Sequence, residues 1–171
     1  MIYDILMLLR KHRACLKEIA KHFERYFTNI DYSKKQKNIK KQSVRSLADL
    51  DKILGGPGFY LIATDLPTKR NQCTAVVQGS LKVVYRGHSY HVRERIESHL
   101  FYKSYRAKDS GRRFTVCMKI DGRNININRH PLNKRQWFVV THSMRKSTRL
   151  IREAAEEAFD AVFGKPVGSD R

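Results

Sequence analysis

Two short segments of the sequence decide the predicted fold: Gly58-Phe59-Tyr60, and Val84-Tyr85-Arg86-Gly87 about 25 residues later. Each segment belongs to a run rich in β-branched and aromatic residues, 59–63 in the first case and 81–85 in the second. Runs of this kind, separated by a polar turn region, predict two short strands.

Alternation of side chains along a strand places Tyr60 and Ile62 on one face of the first predicted strand, and Val83 and Tyr85 on one face of the second. If the strands pair with these faces aligned, the two tyrosine rings come close together. We therefore expect two phenols on one surface of the sheet.

A helix is predicted directly after the second strand. Ser89 is the expected N-cap, and a helix that begins near His91 turns its apolar residues inward. These apolar residues are Val92, Ile96 and Leu100. Arg95 and His99 are four residues apart, so they stack on one side of this helix, at the edge of its apolar stripe. Two tyrosines, an arginine and a histidine are thus expected to face one concave surface.

The order and spacing of these residues resemble the GIY-YIG nuclease family. The two tripeptides are Gly58-Phe59-Tyr60 and Tyr85-Arg86-Gly87; Arg95 follows the second tyrosine by ten positions, and His99 comes four positions later. The resemblance covers residues 58–100 well and, through a later helix that carries a glutamate, most of the chain beyond.

The sequence departs from the family pattern in three places. Phe59 replaces the usual isoleucine, and Arg86 replaces an apolar residue, which puts a charge on the face opposite Tyr85 where it can reach for a phosphate. Pro166 is followed three positions later by Ser169, where the family often has asparagine.

The resemblance implies an α+β fold, with a small core of a three-stranded antiparallel sheet flanked by helices. Residues 57–171 would form the nuclease domain, and residues 1–56 an N-terminal helical extension and basic linker. The third core strand is expected at 137–141, with Trp137 packed in the core.

The chemistry implied by the resemblance is hydrolysis of a phosphodiester bond. Tyr60 would be the general base, directly or through Tyr85, with its phenolate favoured by nearby arginines and a divalent ion. Arg95 would neutralise charge on the scissile phosphate. His99 would assist in protonation or position Arg95.

The resemblance also implies one metal-binding glutamate on the last helix, holding Mg²⁺ or Mn²⁺. Glu153, Glu156 and Glu157 compete for this role. We favour Glu156, because packing fixes the face of a helix, and Glu157 is the first alternate.

The charge of the chain indicates a polyanionic partner. Lysine and arginine number 35 and aspartate and glutamate 16, which gives 35 − 16 = +19. An excess of this size favours nucleic acid as the partner over a merely solvated basic surface. The residues expected to contact nucleic acid are Lys34, Lys35, Lys40, Lys41, Lys69, Arg70, Arg86, His88, Tyr90, Lys103, Arg106, Arg112, Arg113, Asn124 and Asn126.

The first 45 residues allow two interpretations. Residues 2–10 and 16–27 have apolar residues at helical spacing, with a break near 12–15. The two helices would pack on the core as an extension, which we favour, or form a DNA-contacting module that resembles a helix-turn-helix. Residues 32–45 are predicted to be either a basic arm that follows a phosphate backbone or a solvated loop.

Local signals place the remaining elements. Residues 46–54 predict a short helix with Ser46 and Asp49 at its start. Residues 114–120 and 124–128 predict an inserted hairpin around Asp121-Gly122, whose asparagines would read adenine edges or simply face water.

The last helix is expected to start after Ser147 as N-cap and to end at Gly164. Its inward residues would be Ile151, Ala155, Ala158, Phe159 and Val162.

Several classes of protein are excluded by simple counts. Cys15, Cys73 and Cys117 are scattered, which argues against a disulfide framework or a cysteine zinc site, and we expect them to be partly buried packing residues. No apolar run is long enough for a membrane span, and no signal peptide is recognised, so a cytoplasmic protein is expected. No heptad or exposed apolar stripe is identified, and both a monomer and a homodimer remain open.

The resemblance therefore implies a Mg²⁺-dependent endonuclease that acts on double-stranded DNA. Among the members of that family, a compact and very basic chain looks most like a sequence-specific type II restriction enzyme or a small phage or mobile-element nuclease. The alternatives are a non-catalytic nucleic-acid-binding protein on the same fold, and an RNA-directed or phage or mobile-element nuclease.

Overall fold

The structure, a computed structural model, describes residues 2–102, 104–106, 113–115 and 117–169. Its helices are α1 (Ile2–Asn29), α2 (Val92–Phe101) and α3 (Arg149–Phe163), with short 3₁₀ helices at Leu47–Lys52, Leu132–Lys134 and Val167–Ser169. Its strands are β1 (Ile39–Ser43), β2 (Gly58–Thr64), β3 (Val76–Val77), β4 (Leu81–Ser89), β5 (Ser104–Arg106), β6 (Arg113–Thr115), β7 (Lys119–Ile120), β8 (Arg123–Asn124) and β9 (Trp137–Ser143).

The main sheet is antiparallel, with the strand order β1-β9-β2-β4-β3. The α+β class is thereby confirmed. The three predicted strands β2, β4 and β9 stand at its centre, but the sheet has five strands rather than three. The two strands that the prediction missed, β1 and β3, lie at the edges.

Strand β1 corrects the interpretation of residues 32–45 as only an arm or loop. Ile39–Ser43 pairs along its whole length with β9, so this basic segment belongs to the central sheet. Only Ile39 of the strand is buried, and its two lysines suit an edge strand, where charge discourages pairing with other chains.

The two faces of the sheet are covered by different elements. One face packs against α2 and the loop that carries β7 and β8, in a cluster that includes Tyr60, Tyr85 and Trp137. The other face packs against α1 and α3, in a cluster that includes Phe27 and Phe159. Trp137 is buried, as predicted.

A bulge changes the predicted faces of β4. The pairing shifts between Ile62 and Ala63, so Tyr85 lies opposite Ile62 and Val83 lies opposite Ala63. Tyr85 consequently joins the α2 face and Val83 the α3 face. The prediction that these two residues share a face was wrong, because the bulge inserts Val84 between them.

Helix α1 is one continuous helix, not two. The predicted break at 12–15 contains no glycine or proline, and the helical backbone runs through it. A helix-turn-helix is therefore not formed. The second half of α1 packs on the sheet and α3, with the Phe27 ring 5.4 Å from each of the rings of Phe59 and Phe159.

His142 fastens α1 to the sheet. It lies buried on β9, with Nδ1 2.9 Å from the Tyr26 hydroxyl and Nε2 3.3 Å from the Tyr32 hydroxyl. Burial lowers the pKa of His142 to about 3. The imidazole is therefore neutral in the folded protein at neutral pH, and no feature of the sequence pointed to this histidine.

The predicted caps of α2 and α3 are displaced, whereas Ser46 and Asp49 start the short 3₁₀ helix as predicted. His91, not Ser89, holds the N-cap position of α2, and the Ser89 hydroxyl accepts a hydrogen bond from the His91 backbone N–H at 2.9 Å. Thr148, not Ser147, caps α3 and accepts a hydrogen bond from Ile151 N–H. The end of α3 at Gly164 is confirmed.

The other local predictions give a mixed result. The buried residues Val92, Ile96 and Leu100 of α2 and Ala155, Ala158 and Phe159 of α3 are confirmed, while Ile151 and Val162 are half-buried. The turn at Asp121-Gly122 is confirmed by two positive φ angles, but only Lys119–Ile120 and Arg123–Asn124 pair across it. Cys15 is exposed rather than partly buried.

None of the helices that the structure describes combines the length and apolar content needed to span a bilayer.

The buried His142 predicts that acid weakens the fold. Between pH 6.5 and 3 the unfolded chain binds a proton at this residue that the folded protein excludes, so the free energy of unfolding falls as the pH falls. We expect His142→Gln to remove about 2 kcal/mol of the stability difference between pH 7 and pH 5. Urea denaturation of both proteins at the two pH values measures this, and equal pH dependence would contradict it.

Candidate active site and basic surface

The site is built around two tyrosines and a histidine. The Tyr60 hydroxyl lies 3.0 Å from His99 Nε2. The rings of Tyr60 and Tyr85 are stacked with centroids 6.0 Å apart, and the rings of Tyr85 and His99 are 4.3 Å apart. The structure thus brings together three residues that the sequence placed on one surface.

Gly87 makes this arrangement possible. It lies directly opposite Tyr60 in the β2–β4 pairing, and a Cβ atom at this position would come 2.6 Å from the Tyr60 hydroxyl oxygen. Any side chain would displace the ring, since a saturated carbon and an oxygen atom that are not covalently bonded do not approach this closely. Glycine is therefore required here for close approach and not for backbone freedom.

The two tyrosines differ in their exposure to solvent. Tyr60 and His99 are completely buried, whereas Tyr85 is 9% exposed. Burial raises the pKa of Tyr60 well above its ordinary value; neighbouring Tyr85 raises it further, and Arg95 opposes the rise. Burial therefore opposes the phenolate that was expected at Tyr60, and Arg95 and the expected divalent ion would have to offset this effect.

Arg95 is half-buried on α2, one turn before His99. Arg95 and Glu156 are the charged side chains that act on the pKa of Tyr60. Because electrostatic interactions weaken with distance, the side chains of Arg95 and Glu156 both lie near the two tyrosines.

Arg86 does not extend into solvent. Its guanidinium donates two hydrogen bonds to Asp160, from Nε to Oδ1 at 3.0 Å and from Nη2 to Oδ2 at 2.7 Å. Its Nη1 lies 3.2 Å from Oε2 of Glu156. Asp160, which the sequence analysis did not consider, follows Glu156 by one helical turn, and that spacing is the signal that would have found it.

The three glutamates of α3 occupy different environments. Glu153 pairs with the exposed Arg149 one turn earlier, with 2.7 Å between Arg149 Nε and its Oε1, and Glu157 is exposed. Glu156 is the only one of the three that contacts the sheet, through Arg86. Burial raises the pKa of Glu156 to about 7, against the lowering effect of Arg86.

This environment fits a hard divalent cation. A partly buried carboxylate with a raised pKa gains from a nearby positive charge, and Mg²⁺ is commonly held by one or two carboxylates together with substrate phosphate and water. No group of three or more histidine, cysteine, aspartate or glutamate side chains suited to a metal exists among the described residues. A metal at Glu156 would therefore need oxygen atoms from its substrate.

The C-terminal turn completes this side of β4. Ser169 is buried, and its hydroxyl accepts a hydrogen bond from Arg86 N–H at 2.9 Å and donates one to Arg86 O at 3.1 Å. It thereby satisfies both backbone groups of Arg86, where the strand has no pairing partner other than β2.

Arg152 is a functional candidate that the sequence analysis missed. It is completely buried on α3, Nη1 donates to Ser147 O at 2.7 Å, and its guanidinium stacks 3.8 Å from the centre of the Tyr90 ring. Its Nε and Nη2 have no hydrogen-bond partner among the described residues. Its place three residues before Ala155 and seven before Phe159, on the apolar stripe of α3, is the signal that marks it.

Arg152 also affects His88. Burial lowers the pKa of His88 to about 4, and Arg152 lowers it further than any other charged neighbour. Of the predicted nucleic-acid contacts, His88 is half-buried and Tyr90 is exposed beside this arginine.

The other predicted nucleic-acid contacts fall into separate groups. Lys69, Asn124 and Asn126 line a cavity of about 640 Å³ together with Arg123 and Arg129, which the prediction did not include. This cavity shares no lining residue with the tyrosine and histidine cluster.

Among the remaining basic residues, Lys34, Lys35, Lys40 and Arg70 are exposed. Lys41 is engaged instead, because its Nζ donates to the backbone oxygens of Tyr32 and Lys34. Lys103 and Arg112 lie outside the described residues, and Arg106 and Arg113 are described only as paired positions of β5 and β6.

Comparison with protein-family models, with curated proteins and with solved structures finds no match to this chain.

The contact at Gly87 predicts the effect of one added methyl group. Gly87→Ala should lower the free energy of unfolding by about 1–3 kcal/mol, because the new carbon overlaps Tyr60. Gly56→Ala is the matched control, since nothing lies within 4 Å of its added carbon. Urea denaturation compares the two, and a Gly87→Ala protein as stable as the control would show that Tyr60 does not occupy this position.

Proposed function

We propose that this protein is a Mg²⁺-dependent endonuclease of the GIY-YIG kind that hydrolyses phosphodiester bonds of double-stranded DNA. Two kinds of evidence support the proposal. The first is the order and spacing of the two tripeptides, Arg95 and His99 in the sequence. The second is the high positive charge of the chain.

One observation carries the proposal: the Tyr60 hydroxyl lies 3.0 Å from His99 Nε2, with Tyr85 stacked beside it and Arg95 and Glu156 acting on its pKa. Hydrolysis of a phosphodiester needs a proton acceptor, a cation beside the phosphoryl oxygens and stabilisation of the leaving oxygen. The site holds one group for each task.

Proton transfer would run through Tyr85. Because Tyr60 is completely buried, it cannot contact a water at the surface, whereas Tyr85 is partly open. The attacking water loses its proton to the Tyr85 oxygen, the Tyr85 proton passes to Tyr60, and the Tyr60 proton passes to His99 Nε2. This relay removes the need for a standing phenolate, which burial of Tyr60 opposes.

Other groups would stabilise the negative charge of the transition state. Arg95 would donate to the phosphoryl oxygens, since a guanidinium is permanently charged and planar. Glu156 would hold Mg²⁺ or Mn²⁺, which when bound supplies a Lewis acid for the leaving oxygen. Arg86 would orient Glu156 from the other side through its 3.2 Å contact.

Sequence-specific cutting, as in a type II restriction enzyme, would need contacts to base edges. The cavity lined by Asn124 and Asn126 is a candidate region for them, because amides form two hydrogen bonds with adenine and the surrounding Lys69, Arg123 and Arg129 can contact phosphates.

Substitution of the neighbouring glutamates tests the site. With long unmodified duplex DNA and Mg²⁺, we expect Glu156→Gln to cut at least about 100-fold more slowly than the unaltered protein. Glu157→Gln is the matched control on the same helix turn and should keep full activity, because its side chain is exposed. Tyr85→Phe should lose about 100-fold or more by removal of the proton acceptor.

Each variant is checked for folding by thermal denaturation, and EDTA should abolish cutting by every active protein. Discrete fragments indicate sequence-specific cleavage, and a smear indicates non-specific cleavage. Loss of activity in Glu157→Gln but not in Glu156→Gln would contradict the assignment of the metal ligand. Cleavage of RNA alone, or salt-sensitive binding without any cleavage, would replace the DNA endonuclease with one of the other two functions.

Binding to DNA should depend steeply on salt. If six to ten phosphates are contacted, the affinity should fall by roughly 10³ to 10⁵ between 50 and 200 mM salt. Fluorescence anisotropy with a labelled duplex and the inactive Glu156→Gln protein measures this without cleavage. A flat response would count against nucleic acid as the partner.

A further inference from the structure

We infer that the first half of α1 binds a second copy of this chain, as an antiparallel pair of helices. The observation behind this is a run of five consecutive apolar residues that the fold leaves uncovered. Ile5, Leu6, Met7, Leu8 and Leu9 are 42% to 60% exposed. The inference does not rest on the proposed nuclease activity.

The uncovered residues continue a stripe that is buried elsewhere on the same helix. Ile5 and Leu9 precede Phe23 and Phe27 by eighteen positions each, which is about five full turns, so all four share one helix face. Phe27 is buried against α3 and the sheet, whereas residues 4–15 are exposed without exception. The helix therefore carries its apolar face beyond the body of the protein.

The uncovered area suits a small interface between two helices. Ile5, Leu6, Leu8 and Leu9 span an arc of about 160° of the helix surface, and at about half exposure they present on the order of 400 Å² in a single patch. Two copies together would bury on the order of 800 Å², which is the size of a weak or transient interface. Scattered apolar residues need no explanation, but a contiguous run on a protruding helix does.

Charge decides the direction of the pair. Arg10, Lys11 and Arg13 follow the apolar run directly, and Asp4 precedes it. A parallel pair would place the two basic turns side by side, which is unfavourable, whereas an antiparallel pair places each basic turn beside the Asp4 turn of the other copy. Since the uncovered half of the helix is about 18 Å long, the two folded bodies would lie at opposite ends without collision.

The test compares two exposed residues on opposite sides of one helix. Leu9 lies on the stripe, whereas Met7 is sixteen residues, or about four and a half turns, from Phe23 and therefore lies on the opposite side of the helix. Leu9→Glu and Met7→Glu add the same charge within one helical turn, and both residues lie in the exposed part of α1. Thermal denaturation should therefore be equal for both.

Sedimentation velocity and light scattering from about 1 to 50 µM give the mass. We expect the unaltered protein and Met7→Glu to have twice the chain mass of 20.0 kDa. Leu9→Glu should be a monomer, with the dimer dissociation constant raised roughly 100-fold or more, because each dimer loses two buried leucines. An unaltered protein that is monomeric throughout this range would overturn the inference, as would a dimer that Leu9→Glu leaves intact.

A membrane surface is the competing occupant, because apolar residues next to basic ones also suit an interfacial helix. The monomer would then bind vesicles of anionic phospholipid through Leu9, and this result together with a monomeric mass would replace the dimer.

Cross-linking through Cys15 tests whether the two helices are antiparallel or parallel. It is exposed on α1, and in an antiparallel pair centred on Met7 the two copies of it would be about 24 Å apart, whereas a parallel pair would bring them to the same level. A short bismaleimide should therefore not join two Cys15 side chains, and a Cys15–Cys15 link would overturn the antiparallel arrangement.

Discussion

The arrangement of the site depends on the fit of one tyrosine ring over one glycine. Tyr60 and Gly87 are direct partners across the β2–β4 pair, and the phenol occupies the space that any side chain at Gly87 would need. With the ring in this position its hydroxyl reaches His99, and Tyr85 stacks beside it. A shift of one residue in the pairing would turn Tyr60 to the opposite face of the sheet and separate all three.

The sequence predicts the centre of this fold better than its edges. Strands β2, β4 and β9 and the inner face of α2 have strong local patterns, and these elements are where the structure agrees with them. Strand β1 has one buried residue and β3 only two residues in all, so neither has a periodicity to detect. The bulge beside Ile62 is set by pairing between distant segments, which a local pattern does not encode.

In the candidate site, too, the contacts set by local sequence patterns were predicted and the contacts between distant segments were not. Tyr60, Tyr85 and His99 were predicted to meet, because alternation in a strand and four-residue spacing in a helix are local rules. The partners of Arg86, the burial of Arg152 and the two hydrogen bonds of Ser169 depend on how α3 and the C-terminal turn pack on β4. The rise in the pKa of Tyr60 was missed for a related reason: the arginine was visible in the sequence, but the complete burial of Tyr60 was not.

Arg86 faces two carboxyl groups and carries a single positive charge. When Glu156 is ionised, the cluster is therefore an electronegative spot in a protein whose overall charge is +19. Polyanions drawn to the basic surface would be repelled at this spot, unless a small cation enters with them and restores neutrality. Close contact of a phosphate with this part of β4 would therefore be conditional on such an ion, because Arg86 only partly balances Glu156 and Asp160.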